Sequence, residues 1–249
     1  MLSKQTVKFT KSLQNKKFRR LYKQFIIEGE KSVLEVLHSD LVIHKILVTD
    51  YFETTYKSEL KPYLDRIEKA SEKELNDIGT LQTNDSAIVI CDMKPETTPG
   101  LIENEWTIVL DNINDPGNLG TIIRVADWYG IKQIICSEET ADFYNPKVIN
   151  ASKGSFLRVA VHYTDLIPFL SQQKVPVYGA DLDGENIHQS TFGKQGVLVM
   201  GNEAHGLRDE IKNLLTQTIS IPRFGMAESL NVGIATAICC DRIAGQRGH

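Results

Sequence analysis

The sequence predicts an α/β protein in two parts: a small N-terminal α/β domain, then a larger domain on a parallel sheet. Three observations predict it. After residue 106, short apolar runs alternate with stretches of helical periodicity, the pattern of strands covered on both faces by helices. The stretch Lys94-Pro95-Glu96-Thr97-Thr98-Pro99-Gly100 is rich in Pro, Thr and Gly and has no periodicity, so it reads as a linker. Polar, glycine-bearing clusters fall directly after the predicted strands, where open α/β sheets hold their ligands.

Taken in order, Phe25–Ile27 is a short strand, and Gly29 to His38 carries Val33, Leu34 and Leu37 at helical spacing. Ile43–Thr49 and Ile88–Cys91 are further strands of the same small domain. We set its limits at residues 1–95, a linker at 96–105 and the second domain at 106–249. In the second domain, strands are expected at Thr107–Leu110, Gln133–Cys136, Val175–Ala180, Val197–Met200 and Thr218–Ile221. Helices are expected at Leu119–Trp128, Asp165–Gln172, Asp209–Leu215 and Leu230–Ala244.

Composition narrows the class. Of 249 residues, 41% are hydrophobic, ordinary for a globular protein, and no apolar run approaches the roughly 20 residues of a membrane span. Met1 to Lys11 has no apolar signal core, so a cytoplasmic location is expected. The cysteines are Cys91, Cys136, Cys239 and Cys240. None form a Cys-x-x-Cys pair, and they read as small core residues, with no structural metal implied. Net charge is −4, yet the chain before Glu28 has no acidic residue and eight lysines and arginines, among them Lys16, Lys17, Arg19 and Arg20. Screening over about 8 Å lets such a local surface hold a phosphate backbone on an acidic protein. A solvated leader accounts for the same composition, and this feature leaves both readings open.

Three loops carry the chemistry. The first, after Thr107–Leu110, runs from Asp111 to Arg124. Asp115-Pro116-Gly117 is a turn, and Asn118 stands where a helix N-cap belongs. Arg124, among Ile122, Ile123, Val125 and Ala126, is either an internal ion-pair partner or an anion reader. The loop lacks Gly-x-Gly-x-x-Gly and a Gly-Lys-Ser/Thr ending, which weakens a dinucleotide or nucleotide reading. The second loop is Gly201-Asn202-Glu203-Ala204-His205-Gly206-Leu207. It sets a lone Glu between two glycines, and His205 has no partner at metal-ligand spacing. The third follows Thr218–Ile221: a loop with Pro222 and Gly225, then Ser229-Leu230-Asn231-Val232 opening an apolar helix. Ser229 is its expected N-cap, and that helix start aims N–H groups at an anionic or electron-rich ligand.

In these three loops the chain resembles the SpoU (TrmH-type) family of RNA ribose methyltransferases, within the SPOUT superfamily. The matching residues are Asn118 and Arg124 in the first motif and Gly201-Asn202-Glu203 with Gly206-Leu207 in the second. Ile221-Pro222 through Ser229-Leu230-Asn231-Val232 form the third, and the match covers about residues 106–244. Phe25 to Lys31 resembles the start of the small RNA-binding domain that many members carry. The resemblance implies a deep trefoil knot in the C-terminal domain, an exception to the general absence of knots. It implies S-adenosylmethionine as cofactor, held by backbone groups at Gly201, Ile221 and Leu230, and a homodimer with the site beside its interface. No metal is implied. The implied reaction is methyl transfer to a ribose 2′-OH in structured RNA, ribosomal RNA ahead of transfer RNA. A catalytically inactive knotted RNA-binding module is the alternative class. Arg124 is expected to orient the nucleotide and stabilise the developing alkoxide. Asn118, Glu203, Ser229 and Asn231 would position Arg124, the nucleotide and the cofactor, and Lys16, Lys17, Arg19 and Arg20 would meet phosphates.

Overall fold

A computed structural model describes residues 1–246; the last three residues of the predicted 106–249 domain lie outside the described residues. The chain divides into two compact units, one of residues 1–95 with 142–157, the other of 96–141 with 158 onward.

In the first unit, α1 (Lys4–Ser12) and α2 (Lys16–Tyr22) precede β1 (Gln24–Glu28), α3 (Glu30–Leu37) and β2 (Ile43–Val48). Next come α4 (Asp50–Thr55), α5 (Lys57–Leu60), a 3-10 turn at Lys61–Arg66, β3 (Ile67–Lys69), α6 (Glu72–Ile78) and β4 (Ala87–Asp92). The strands form one sheet in the order β1-β4-β2-β3, with β4 antiparallel to both neighbours. Its apolar face packs Ile26, Leu47, Ile88 and Ile90 against Leu2 and Leu13 from the α1 region and Leu75 and Ile78 of α6. Ser71 and Glu74 close a reciprocal capping box at the start of α6.

The basic leader is therefore two capped helices. Ser3 accepts from the Thr6 N–H and Asn15 from the Lys17 N–H. Lys16, Lys17 and Arg20 are exposed. Arg19 corrects the expectation of a phosphate contact. It is 2% exposed, and its guanidinium donates to Asp142 and to the carbonyls of Leu13 and Gln14. Four hydrogen bonds thus hold it inside the unit.

Asp142 belongs to a segment that leaves the larger sheet after its second strand and packs on the small unit. Phe25 of β1 touches Tyr144 (ring centroids 4.7 Å) and Phe156 (6.5 Å), and α8 (Pro146–Ser152), capped by Asn145, lies on β1.

The second unit is a six-stranded parallel sheet in the order β10-β8-β9-β5-β6-β7. Its strands are β5 (Trp106–Leu110), β6 (Gln133–Cys136), β7 (Ala160–Tyr163), β8 (Val177–Asn186), β9 (Gly196–Met200) and β10 (Gln217–Ser220). The helices are α7 (Pro116–Trp128), α9 (Leu166–Ser171), α10 (Asp209–Lys212) and α11 (Val232–Ala244). Central β5 and β9 are buried at every residue, as strands covered on both faces must be. Strand β8 runs well past the expected Ala180. Its charged second half pairs only with β10 after a register shift, so it lacks the apolar signal of a core strand. Edge strand β7 shows no clean alternation in burial and left no pattern to read.

All four cysteines are buried and free, and burial pushes the Cys239 thiol up to about 12. Among the described residues, no helix is long and apolar enough to cross a membrane.

The Arg19 arrangement predicts that Arg19→Ala lowers the unfolding free energy by about 3 kcal/mol, by stranding Asp142 and two carbonyls. Arg19→Lys should not restore it, because an ammonium cannot span the same acceptors. Urea denaturation measures this, and an unchanged midpoint for Arg19→Ala would contradict it.

Candidate active site

The three loops singled out in the sequence meet at the carboxyl ends of β5, β9 and β10. Helix α7 begins with Pro116 at its first position, and its N-cap is Asp115, which accepts from the Asn118 N–H at 2.8 Å. Asn118 is thus relieved of the expected capping duty, and its side-chain amide is free for other partners. Its Nδ2 donates to Glu203 Oε1 at 2.7 Å, and its Oδ1 accepts from Asn231 Nδ2 at 2.8 Å. Asn231, rather than Ser229, caps α11: its Oδ1 accepts from the N–H groups of Gly233 and Ile234. Ser229 is exposed and makes no hydrogen bond among the described residues.

The polarity of this chain follows from its ends. The helix N–H groups can only donate, so Asn231 must turn its oxygen to them and its NH₂ to Asn118. Asn118 must then turn its NH₂ to Glu203, whose carboxylate accepts. One direction of hydrogen bonding runs from the start of α11 to Glu203, so both amide orientations are determined.

The Gly201 loop is tied down beneath Glu203. Asn202 and Gly206 exchange backbone hydrogen bonds at 3.0 and 2.9 Å. The Asn202 Oδ1 accepts from the Ala204 and His205 N–H groups, and its Nδ2 donates to the Asn112 carbonyl. Gly206 takes a positive φ of 68°, which suits glycine. A Cβ on Gly201 would sit 2.4 Å from the Gly206 carbonyl carbon and 2.5 Å from the Leu207 nitrogen. The close backbone approach requires glycine there.

Asp111 and Arg208 are components the sequence reading missed. Asp111, fully buried at the end of β5, accepts from the Arg208 Nε at 2.8 Å and from its N–H at 3.1 Å. This joins the end of β5 to the end of the Gly201 loop. A buried acid directly after an apolar strand was the available signal, though its partner lies 97 residues away.

Arg124 projects from α7 into solvent. It is exposed, and among the described residues its side chain has no hydrogen bond or ion pair; the internal ion-pair alternative is therefore removed. It shares an exposed stripe of α7 with Thr121 and Trp128, the latter 83% exposed. Helices α7 and α11 pack side by side, close enough that a Cβ on Gly233 would meet Thr121 at 2.9 Å.

The third loop is open. Ile221 is half-buried, and Phe224, Met226 and Leu230 are 98%, 97% and 48% exposed. From Arg223 to Leu230 no backbone N–H is hydrogen-bonded to another described residue; the only bond is from Arg223 to the Ala227 carbonyl at 3.3 Å. Among the described residues, no cluster of three or more His, Cys, Asp or Glu side chains could hold a metal ion.

The model of the SpoU rRNA methylase family matches residues 105–241, which contain all of these loops. The chain belongs to the SpoU rRNA methylase family. A second model, the MRM3-like substrate binding domain, matches residues 4–88, so this SpoU member carries a substrate-binding domain ahead of the methylase. It is 32% identical to the 23S rRNA (guanosine(2553)-2′-O)-methyltransferase RlmP of Bacillus subtilis (strain 168), over 97% of this chain and 96% of that protein. A TrmH-family protein from Porphyromonas gingivalis superposes with a TM-score of 0.85 at 32% identity, covering 98% of each chain. The AdoMet-bound rRNA methyltransferase from Sinorhizobium meliloti superposes with a TM-score of 0.86 at 28% identity, covering 98% of this chain and 95% of that one.

Two glycines of this SpoU domain should respond differently to the same substitution. Gly201→Ala forces backbone against backbone and should lower the melting temperature on the order of 5 °C. Gly225→Ala, whose Cβ meets nothing within 4 Å, should leave it unchanged. Equal melting temperatures for the two variants would contradict the close approach at Gly201.

Proposed function

We propose that the protein transfers a methyl group from S-adenosylmethionine to a ribose 2′-OH of ribosomal RNA, with a guanosine of the large-subunit RNA as the target. The observation that carries this reading is the Asn231–Asn118–Glu203 chain at the mouth of a parallel sheet, in a SpoU domain that also carries an exposed, unpaired Arg124. End-to-end similarity to RlmP supports the ribosomal target, since the whole architecture is shared.

The residues present fit the cofactor. Unpartnered N–H groups from Arg223 to Leu230, beside exposed Leu230 and Met226, suit an adenosyl group with its apolar faces and polar edges. Gly201, Ile221 and Leu230 would hold it through their backbones. When bound, it supplies an electrophilic methyl carbon on a positively charged sulfur.

The protein's own groups then have a limited task. A 2′-OH must be brought to about 3 Å in near-attack geometry, and its proton passes to solvent water as the oxygen–carbon bond forms and the carbon–sulfur bond breaks. Arg124 serves by holding the nucleotide's phosphate and stabilising the alkoxide, as preorganised donors do in general. A guanidinium keeps its proton at any ordinary pH, so we assign it an electrostatic role. Asn118, Glu203 and Asn231 are positioning residues: they fix the start of α7 against α11 and the Gly201 loop. Ser229, exposed and unpartnered, is available to the nucleotide. Lys16, Lys17 and Arg20 contact RNA phosphates, and the 2′-OH requirement excludes DNA as substrate.

Three further readings accompany this one. The protein acts as a homodimer through α7 and α11, supported by exposed Trp128 and by Ile234 at 53% exposure, and Arg124 lies beside that interface. We assign the family's trefoil knot to residues 201–231. The strand order supports it, because the chain leaves β9 inside the sheet, pairs as β10 beyond β8, and returns to set α11 beside α7. With ribosomal RNA as substrate, the protein works in the cytoplasm.

The test is tritium transfer to ribosomal RNA from a deletion strain. Arg124→Ala should lose on the order of 100- to 1,000-fold in turnover, with S-adenosylmethionine binding by calorimetry unchanged. Wild-type protein should sediment as a dimer and Trp128→Glu as a monomer. Retained turnover in Arg124→Ala would sink the assignment of Arg124, and a monomeric wild type would sink the dimer.

A further inference from the structure

The small unit carries a cleft of about 220 Å³ lined by Thr6, Phe9, Gln24, His44, Lys45 and Ile90. Its composition is unusual for a packing gap. Phe9 is only half-buried, and its ring meets Tyr22 edge-on at 5.0 Å, while Tyr22 stacks on Phe18 at 6.2 Å and 13°. The result is an aromatic row reaching from the cleft to the surface, where Tyr22 is 44% exposed.

The polar side of the cleft is held in place but not used up. Asp92 accepts from Gln24 Nε2 at 3.2 Å and is joined to His44 Nε2 at 2.7 Å. These three side chains cross β1, β4 and β2 in one row. Gln24 Oε1 has no hydrogen bond among the described residues, so one acceptor faces outward. Lys45 gives two N–H groups to Glu68 and Thr6 and keeps a third. Lys23, and Lys16, Lys17 and Arg20 of α2, are exposed and enter no ion pair among the described residues. Lys23 directly precedes Gln24.

We infer that this cleft binds one unpaired nucleobase of the RNA, stacked on Phe9, whose ring Tyr22 braces edge-on, and read at its edge by Gln24 and Lys45. An apolar wall suits an unstacked base, and an amide acceptor with an ammonium donor suits its hydrogen-bonding edge. Exposed Lys23, next to Gln24 in the chain, and the exposed basic residues of α2 suit the flanking phosphates. Bases inside an A-form duplex hide their faces, whereas those of loops and single strands can be splayed onto aromatic side chains. The small unit therefore recognises an unpaired segment rather than a helix. This rests on the reading of the protein as an RNA methyltransferase.

The experiment compares full-length wild type, Phe9→Leu and Gln24→Ala by fluorescence anisotropy. The probes are a mixed-sequence RNA single strand of about 12 nucleotides and a blunt duplex of the same length, each over a range of salt. Wild type should favour the single strand. Phe9→Leu keeps apolar bulk in the core and should lose about ten-fold in single-strand affinity, with an unchanged salt slope and unchanged duplex binding. Ultraviolet cross-linking of the single strand should map to the peptides containing Phe9 and Tyr22. Unchanged single-strand affinity in a folded Phe9→Leu, or equal loss on both probes, would overturn the proposal. So would cross-links confined elsewhere. If wild type methylates ribosomal RNA while these outcomes go against the cleft, only the cleft falls. If wild type does not methylate, the functional reading itself fails.

Discussion

Asn118 makes the interaction on which the candidate site depends. Its amide accepts from Asn231 and donates to Glu203 in one short reach. Three loops from three strand ends are thereby joined at one point, Asn118 lying 85 residues from Glu203 and 113 from Asn231 in sequence. The direction of the chain begins at the N–H groups that open α11, where the helix dipole is positive, and ends on a carboxylate. Every bond in it is thus favoured by the charge at either end. The ion pair between buried Asp111 and exposed Arg208 also ties β5 to the far end of the Gly201 loop.

Such rigidity suits the reaction proposed. Methyl transfer to a hydroxyl requires alignment more than acid or base strength, and an alignment error of about 1 Å can cost 100-fold. The groups left loose are those to which the proposed function assigns ligands: Arg124, Ser229, and the loop from Arg223 to Leu230 with its unpartnered N–H groups. Fixed positioning residues and free contacting residues are separated along the same short segments of chain. In the first unit the division recurs. Arg19 is locked inside by Asp142 and two carbonyls, while Lys16, Lys17 and Arg20 one turn away stay open to solvent.

Much of this was legible in the sequence, for identifiable reasons. The central strands β5 and β9 are continuous apolar runs, and a turn or glycine follows each, so both strands and their loops could be located. The caps were misread by a few residues: Asp115 and Asn231 hold the roles expected of Asn118 and Ser229. Adjacent Ser, Asn and Asp side chains are equivalent as caps until the backbone selects one. Arg19 looked like its basic neighbours because burial against an acid 123 residues away leaves no local mark. The excursion of 142–157 onto the small unit was equally silent, since its aromatic contacts with Phe25 are set by tertiary packing. The charged half of β8 lacks strand composition because only one neighbour covers it.

Reversing the polarity of the central hydrogen bond tests the account most directly. Asn118→Asp keeps the shape but sets two carboxylates face to face, and kcat/KM for ribosomal RNA methylation should fall steeply. Adding Glu203→Gln returns a donor to the bond while the new carboxylate still accepts from Asn231. The account predicts that the double variant recovers at least about ten-fold over Asn118→Asp alone. A double variant no better than Asn118→Asp would contradict the claim that this chain of hydrogen bonds assembles the site.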